Sequence, residues 1–173
     1  MAALSICAGC SGSPDWEVEH RVEIAASPET VWRLLTDLER YSEWNDYSPH
    51  VNGVLEVGGI VTVEAHLGDE VRIVDNLVTV VDPPRQLCWQ SQNWYASLAQ
   101  GTRCRHLEPL PNGKLRLRHH ELMSGPLAGL VERLYRPRIE AGLKRADLAL
   151  AEAAERAERA SGVGAHPSPP HEE

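Results

Sequence analysis

The stretch RCRHLEPLPNGKLRLRHHELMSG, residues 103–125, constrains the fold most. Asn112-Gly113 sits between two alternating segments, the strongest short-range signal for a tight antiparallel hairpin. With Asn112 and Gly113 as a two-residue loop, Leu110 opposes Leu115, Glu108 opposes Leu117, His106 opposes His119 and Cys104 opposes Glu121. Strand side chains alternate between faces. One face then carries Cys104, His106, Glu108 and Leu110 with Leu115, Leu117, His119, Glu121 and Met123. The other carries Arg103, Arg105, Arg116 and Arg118 with Leu107 and Leu122. Four arginines read as a solvent face, so the first face is the expected interior, with Cys104, His106, His119 and Glu121 grouped on it.

The rest of the chain supplies partners for that hairpin. Trp16, Val18, His20, Val22 and Ile24 alternate with charged residues, the pattern of a half-buried strand. Ser27-Pro28-Glu29 then gives an N-cap, a first-turn proline and an early acid, followed by Val31, Leu34, Leu35 and Leu38 at helical spacing. Leu38 to Trp44 extends this by a turn or two. Strands follow at Val54–Val57, Ile60–Leu67, Val71–Val81 and Leu87–Gln90, with turns at Gly58-Gly59 and Asp82-Pro83-Pro84. After Ser124-Gly125-Pro126 a helix begins, kinks or breaks at Pro137, and continues through Ile139 to Ala160. Strand, two short helices, six strands and a long helix define an α+β chain. Its compact solution is a curved seven-stranded antiparallel sheet wrapped around the long C-terminal helix. Such a wrap leaves an internal cavity.

Composition narrows the function classes. A chain of 173 residues fits one domain of ordinary size. We expect a flexible leader over 1–14, a single ligand-binding domain over 15–160, and a disordered tail over 161–173 that lacks apolar residues for a core. The formal charge of −8 argues against a nucleic-acid partner. No apolar run is long enough to span a bilayer, so no membrane insertion is expected. Cys7, Cys10, Cys88 and Cys104 lack the spacing of a disulfide framework, which points to a reducing cytoplasm. The oligomeric expectation is a monomer or homodimer. With no Phe and five Trp, bulky aromatic packing falls to tryptophan.

The segments ASPETVWRLLTDLERYSEWN (26–45), VNGVLEVGGIVTV (51–63), VTVVDPPRQLCWQ (78–90) and HLEPLPNGKLRLRHHELMSGPLAGL (106–130), with the helix that follows, resemble a known family. They are similar to the START and birch-pollen-allergen-like helix-grip superfamily, in its polyketide cyclase/dehydrase branch. The resemblance implies the helix-grip fold and a cavity for a hydrophobic small molecule, in members ranging from aromatase/cyclases to lipid carriers. It implies no invariant catalytic motif.

Two functions are therefore open. In the first, the chain is a cofactor-independent cyclase, aromatase or dehydratase. Opposed imidazoles resist double protonation, so His119 would act as base, His106 as its partner and Glu121 as acid or orienting group. In the second, the chain carries or senses a lipid or hydrophobic metabolite, and the same residues are bonded to one another. Cavity-wall candidates are His20, Glu56, Trp89, Trp94, Tyr95, Cys104 and Met123, with Trp94 and Tyr95 in a turn where a lid would lie. Cys, His and Glu are competent zinc ligands, yet no ligand-spacing motif supports a metal, and none is expected.

Overall fold

The computed structural model describes residues 15–94 and 96–163. The expected leader, with Cys7 and Cys10, the tail beyond 163 and Tyr95 lie outside the described residues. Strand β1 (Trp16–Ile24) leads to helix α1 (Pro28–Thr36) and a 3-10 helix at Leu38–Glu43. Six strands follow: β2 (Val51–Gly53), β3 (Ile60–Leu67), β4 (Glu70–Asp82), β5 (Gln86–Ser91), β6 (Gln100–Pro109) and β7 (Leu115–Ser124). Helix α2 (Ala128–Val163) follows β7 and runs through Pro137 without a break. The seven strands form one antiparallel sheet in the order β1-β7-β6-β5-β4-β3-β2. Strands β2 to β7 are a meander, and β1 returns to pair with β7.

The sheet wraps α2, which touches β1, β7 and β3. The helix presents Ile139, Leu143, Ala146, Leu150 and Ala154, spaced three or four residues apart and all buried. Each large side chain in this row stabilises the fold by about 1.5–3 kcal/mol through burial. Leu148 falls off that face and is 45% exposed. Helix α1 is capped as its sequence predicts. Ser27 Oγ accepts from the Thr30 amide at 3.3 Å and bonds Glu158 Oε2 at 3.0 Å, tying the cap to the far end of α2. At the near end, Trp16 Nε1 donates to the Ala128 carbonyl at 2.8 Å.

Two expectations of local structure need correction. The strand anticipated at Val54–Val57 is a turn, and pairing is made by Val51–Gly53 instead. The Gly59 amide donates to the Glu56 carbonyl at 2.8 Å, closing the turn and leaving the Glu56 side chain exposed rather than on a cavity wall.

The hairpin register is the larger correction. Leu110 and Lys114 close the loop, through the Leu110 amide to the Lys114 carbonyl at 2.8 Å, and Gly113 takes a φ of 77°. Three residues, Pro111 to Gly113, therefore make the turn, with glycine in the left-handed position that suits a three-residue hairpin. One extra loop residue shifts β6 by one against β7. Arg103 now opposes Glu121, Arg105 opposes His119, Cys104 opposes His120 and His106 opposes Arg118. A one-residue slip turns every side chain of a strand over. The β7 residues Leu115, Leu117, His119, Glu121 and Met123 face inward as expected. From β6, however, Arg103, Arg105 and Leu107 face inward, and Cys104, His106 and Glu108 face outward.

Candidate functional site

A cavity of about 490 Å³ opens between the sheet and the first turns of α2. Its walls are largely apolar, including Val63, Leu67, Val74, Trp89, Met123 and Ile139. The volume suits one small molecule of roughly drug size. The mouth is apolar too: Trp94 is 87% exposed, and Leu130 and Leu134 are more than half exposed.

The polar groups of the wall converge on Arg103. Its Nε donates to Glu121 Oε2 at 2.9 Å, and its Nη2 bonds both Glu121 Oε2 and Tyr47 Oη, the latter at 3.3 Å. Burial works against the Arg103 charge, but the neighbouring Glu121 and Tyr47 outweigh it and hold the guanidinium firmly protonated. Burial pushes the Tyr47 phenol upward, so Tyr47 keeps its proton. Tyr47 is set in place by Gly142 of α2: a Cβ there would stand 2.2 Å from the Tyr47 ring. At the mouth, Asn93 lines the cavity with both amide atoms buried and without a partner among the described residues.

A second polar group lies under α2. Asp147, 1% exposed on the buried face of the helix, accepts from two histidines. His119 Nδ1 lies 2.7 Å from Oδ1 and His20 Nδ1 lies 2.9 Å from Oδ2. The two rings come from paired positions of β1 and β7. Burial pushes His119 down to about 4, only partly offset by Asp147, so its ring is neutral at pH 7. Burial alone would raise Asp147, but His119, His20 and Arg105 draw it down to about 2. A neutral His119 that donates from Nδ1 has a lone pair on Nε2, and that atom is buried without a partner among the described residues. Arg105 is also buried, its guanidinium 5.0 Å from the Trp89 ring centre, and burial lowers its pKa.

Of the residues expected at the site, Glu121, Trp89, Trp94 and Met123 line the cavity. His119 and His20 share Asp147 below it, and neither is among the cavity-lining residues. The pairing of His106 with His119 is overturned by the register. His106 lies on the convex face, where its ring stacks on His120 at 5.2 Å. Cys104 is on that face as well, joined to Cys88 in a disulfide between directly opposed positions of β5 and β6. Spacing along the chain could not reveal this pair, because it depends on register. Burial and the charge of Arg118 lower both His106 and His120.

Sequence reasoning missed Tyr47, Arg103, Arg105 and Asp147. The arginines were lost to the one-residue slip. Asp147 had a signal: it falls four residues after Leu143 and three before Leu150, a core position of the helix. Tyr47, in an irregular loop, had none.

Among the described residues no helix is long and apolar enough to cross a membrane. The comparisons agree with this architecture. A solved structure of a hypothetical protein (jhp0584) from Helicobacter pylori matches with a TM-score of 0.70 at 16% identity, covering 83% of this chain and 90% of that one. The ZhuI aromatase/cyclase from Streptomyces sp. R1128 matches with a TM-score of 0.62 at 17% identity, over 83% and 93% of the two chains. Protein MLL2253 from Mesorhizobium loti gives 0.63 at 22% identity, over 82% and 98%. At such identities the likeness shows the helix-grip fold. No curated protein matches the sequence. The model of the family described as polyketide cyclase/dehydrase and lipid transport matches residues 15–155, and the chain belongs to that family.

Proposed function

We propose that the protein binds a hydrophobic, ring-rich small molecule that carries a carbonyl, phenol or carboxylate oxygen, and that this oxygen is held by Arg103. One observation carries the reading. The protein bonds of Arg103 run from Nε and Nη2, which leaves the Nη1 donors for a ligand inside an apolar cavity. Burying an ion pair is expensive and rarely stabilises a fold better than apolar packing would. Its place in a cavity wall makes sense where a polar atom of the ligand must be recognised. Tyr47, which keeps its proton, supplies a second donor beside Arg103, and the unpartnered Asn93 amide supplies a third anchor at the mouth. Native mass spectrometry of the purified chain, before and after denaturation, tests this. We expect a co-purified oxygenated aromatic or polyketide-like molecule, lost in Arg103→Met. A plain lipid held equally by both proteins would contradict it.

A second reading, acid–base catalysis on that ligand, has its own support. Glu121 accepts both Arg103 bonds on Oε2, so Oε1 is left. Oε1 stands 3.4 Å from the position a Cβ on Gly101 would take, at a part of the wall that carries no side chain. In this reading Arg103 polarises a ligand carbonyl, and Glu121 Oε1 removes a proton from the adjacent carbon. Tyr47 then protonates the departing hydroxyl, as cyclisation with loss of water requires. His119 is left out of this reading because it is not among the residues that line the cavity. Glu121→Gln separates the readings. For a catalyst the variant retains the ligand in chemically earlier form, whereas for a carrier the bound molecule is the same.

A further inference from the structure

The convex face of the sheet carries a group that the cavity does not use. Cys104 has three metal-competent neighbours: Cys88 opposite it on β5, His120 opposite it on β7, and His106 two residues along β6. The ligand atoms of Cys104, His106 and His120 all lie within 4.8 Å of one another. Cys88, Cys104 and His120 are buried, with the charged Glu17, Glu19 and Arg118 beside His120. We propose that reduction of the Cys88–Cys104 disulfide turns this group into a zinc site of two thiolates and two imidazoles, so that the convex face exchanges a disulfide for a metal.

The chemistry balances. A dithiol reductant supplies two electrons and two protons to the disulfide and is itself oxidised to a disulfide. The two cysteine thiols then give up their protons as Zn²⁺ binds, and the resulting site of two thiolates, two neutral imidazoles and one dication has no net charge. Oxidation by a disulfide reverses both steps and releases the metal. The geometry asks for little. Zn–S and Zn–N bonds of about 2.3 and 2.0–2.1 Å in a tetrahedron place ligand atoms about 3.3–3.8 Å apart. The Cys104, His106 and His120 ligand atoms must therefore close by up to about 1 Å through side-chain rotation, while the two sulfurs, about 2 Å apart in any disulfide, part by somewhat under about 2 Å once reduced. The local charge is mixed. Arg118 Nη2 lies 3.2 Å from His120 Nδ1, while Glu19 lies 3.5 Å from Arg118 Nε and carboxylate oxygens of Glu17 and Glu19 lie within 4.8 Å of a His120 ring nitrogen. Arg118 is thus offset by two carboxylates and leaves the other ring nitrogen of His120 for the metal.

Cobalt(II), which reports thiolate ligation and tetrahedral geometry by its absorption, is the probe. The full chain is used with Cys7→Ser and Cys10→Ser in the background, so that only Cys88 and Cys104 can supply sulfur. After treatment with a phosphine reductant and desalting, we expect one equivalent of cobalt to bind with thiolate charge-transfer and tetrahedral ligand-field bands. Oxidised protein should show neither. Cys104→Ser and His120→Ala should each weaken binding at least tenfold and change the bands, while His66→Ala, outside the cluster, should bind as the parent does. If circular dichroism shows either cluster variant unfolded, His106→Ala takes its place with the same expectation. Absence of the bands in reduced protein, equal uptake by oxidised protein, or bands that survive loss of a cluster residue would overturn the proposal.

Discussion

Two polar groups lie inside this sheet only a few residues apart on β7, yet they differ in what surrounds them. Around Asp147 the ionisable groups close on one another: two histidines take both carboxylate oxygens, and none of the three residues lines the cavity. Around Arg103 they remain open, since Nη1 of the arginine and Oε1 of Glu121 have no bond among the described residues and the pair lies in the wall of a 490 Å³ space. A polar cluster whose carboxylate is paired at both oxygens fixes the helix on the sheet. An unsatisfied one beside a void is suited to a ligand. The comparison assigns stability to the first group and recognition to the second, and it can be broken from either side.

The largest effect should come from Asp147→Ala. It strands the buried His119 and the half-buried His20 and opens a space beneath α2, so a loss of about 3–5 kcal/mol is expected in urea unfolding. The molecules that remain folded should bind ligand with unchanged affinity. A large affinity loss without a stability loss would invert the assignment.

Next is the pH dependence of stability. His119 titrates near 4 in the folded chain against an ordinary 6.5, so the unfolded chain takes up its proton first. Stability should therefore fall as pH drops from 6.5 towards 4, by about 3 kcal/mol from this group. Asp147, held near 2 against an ordinary 3.8, contributes stability that persists above 3.8 and is lost as pH falls towards 2. His120 is lowered in the same direction as His119, so the test is the difference between the parent and His119→Asn across pH 4 to 7. That difference should shrink on acidification, and a constant offset would contradict the burial of a neutral His119.

Gly142→Ala links the two regions, because its Cβ would strike the Tyr47 ring. A cost of about 1–3 kcal/mol from overpacking is expected, together with weaker ligand binding as Tyr47 leaves Arg103. Smallest in stability is Leu130→Asp at the mouth. It should change unfolding by no more than about 0.5 kcal/mol while slowing or weakening entry of an apolar ligand, as read by stopped-flow tryptophan fluorescence.

Much of this architecture was legible in the sequence, because alternation and capping are local. Trp16–Ile24 is the strand that its pattern describes, and the Ser27-Pro28-Glu29 cap and the Gly125-Pro126 entry to the long helix lie where their chemistry predicts. The interior chemistry was less legible, because it hangs on one residue of loop length. Asn112-Gly113 signals a hairpin but does not distinguish a two-residue from a three-residue turn. That single choice exchanged Arg103 and Arg105 for Cys104 and His106. The assumption that four arginines must face solvent reinforced the error. It failed because Glu121, Tyr47 and Trp89 provide partners that offset the cost of burying two guanidinium groups. The Cys88–Cys104 disulfide is legible only once the β5–β6 register is known.

The most direct measurement of the central claim is a fluorescence titration that follows Trp89 and Trp94 as a hydroxylated polycyclic aromatic and its deoxy counterpart are added, to the parent and to Arg103→Met. A hydrogen bond to a charged partner contributes about 1.5–3 kcal/mol. The account predicts that the parent prefers the hydroxylated compound by about 10- to 100-fold and that Arg103→Met loses this preference while still binding the deoxy compound. Equal affinity of the parent for both compounds, or a preference that survives Arg103→Met, would contradict it.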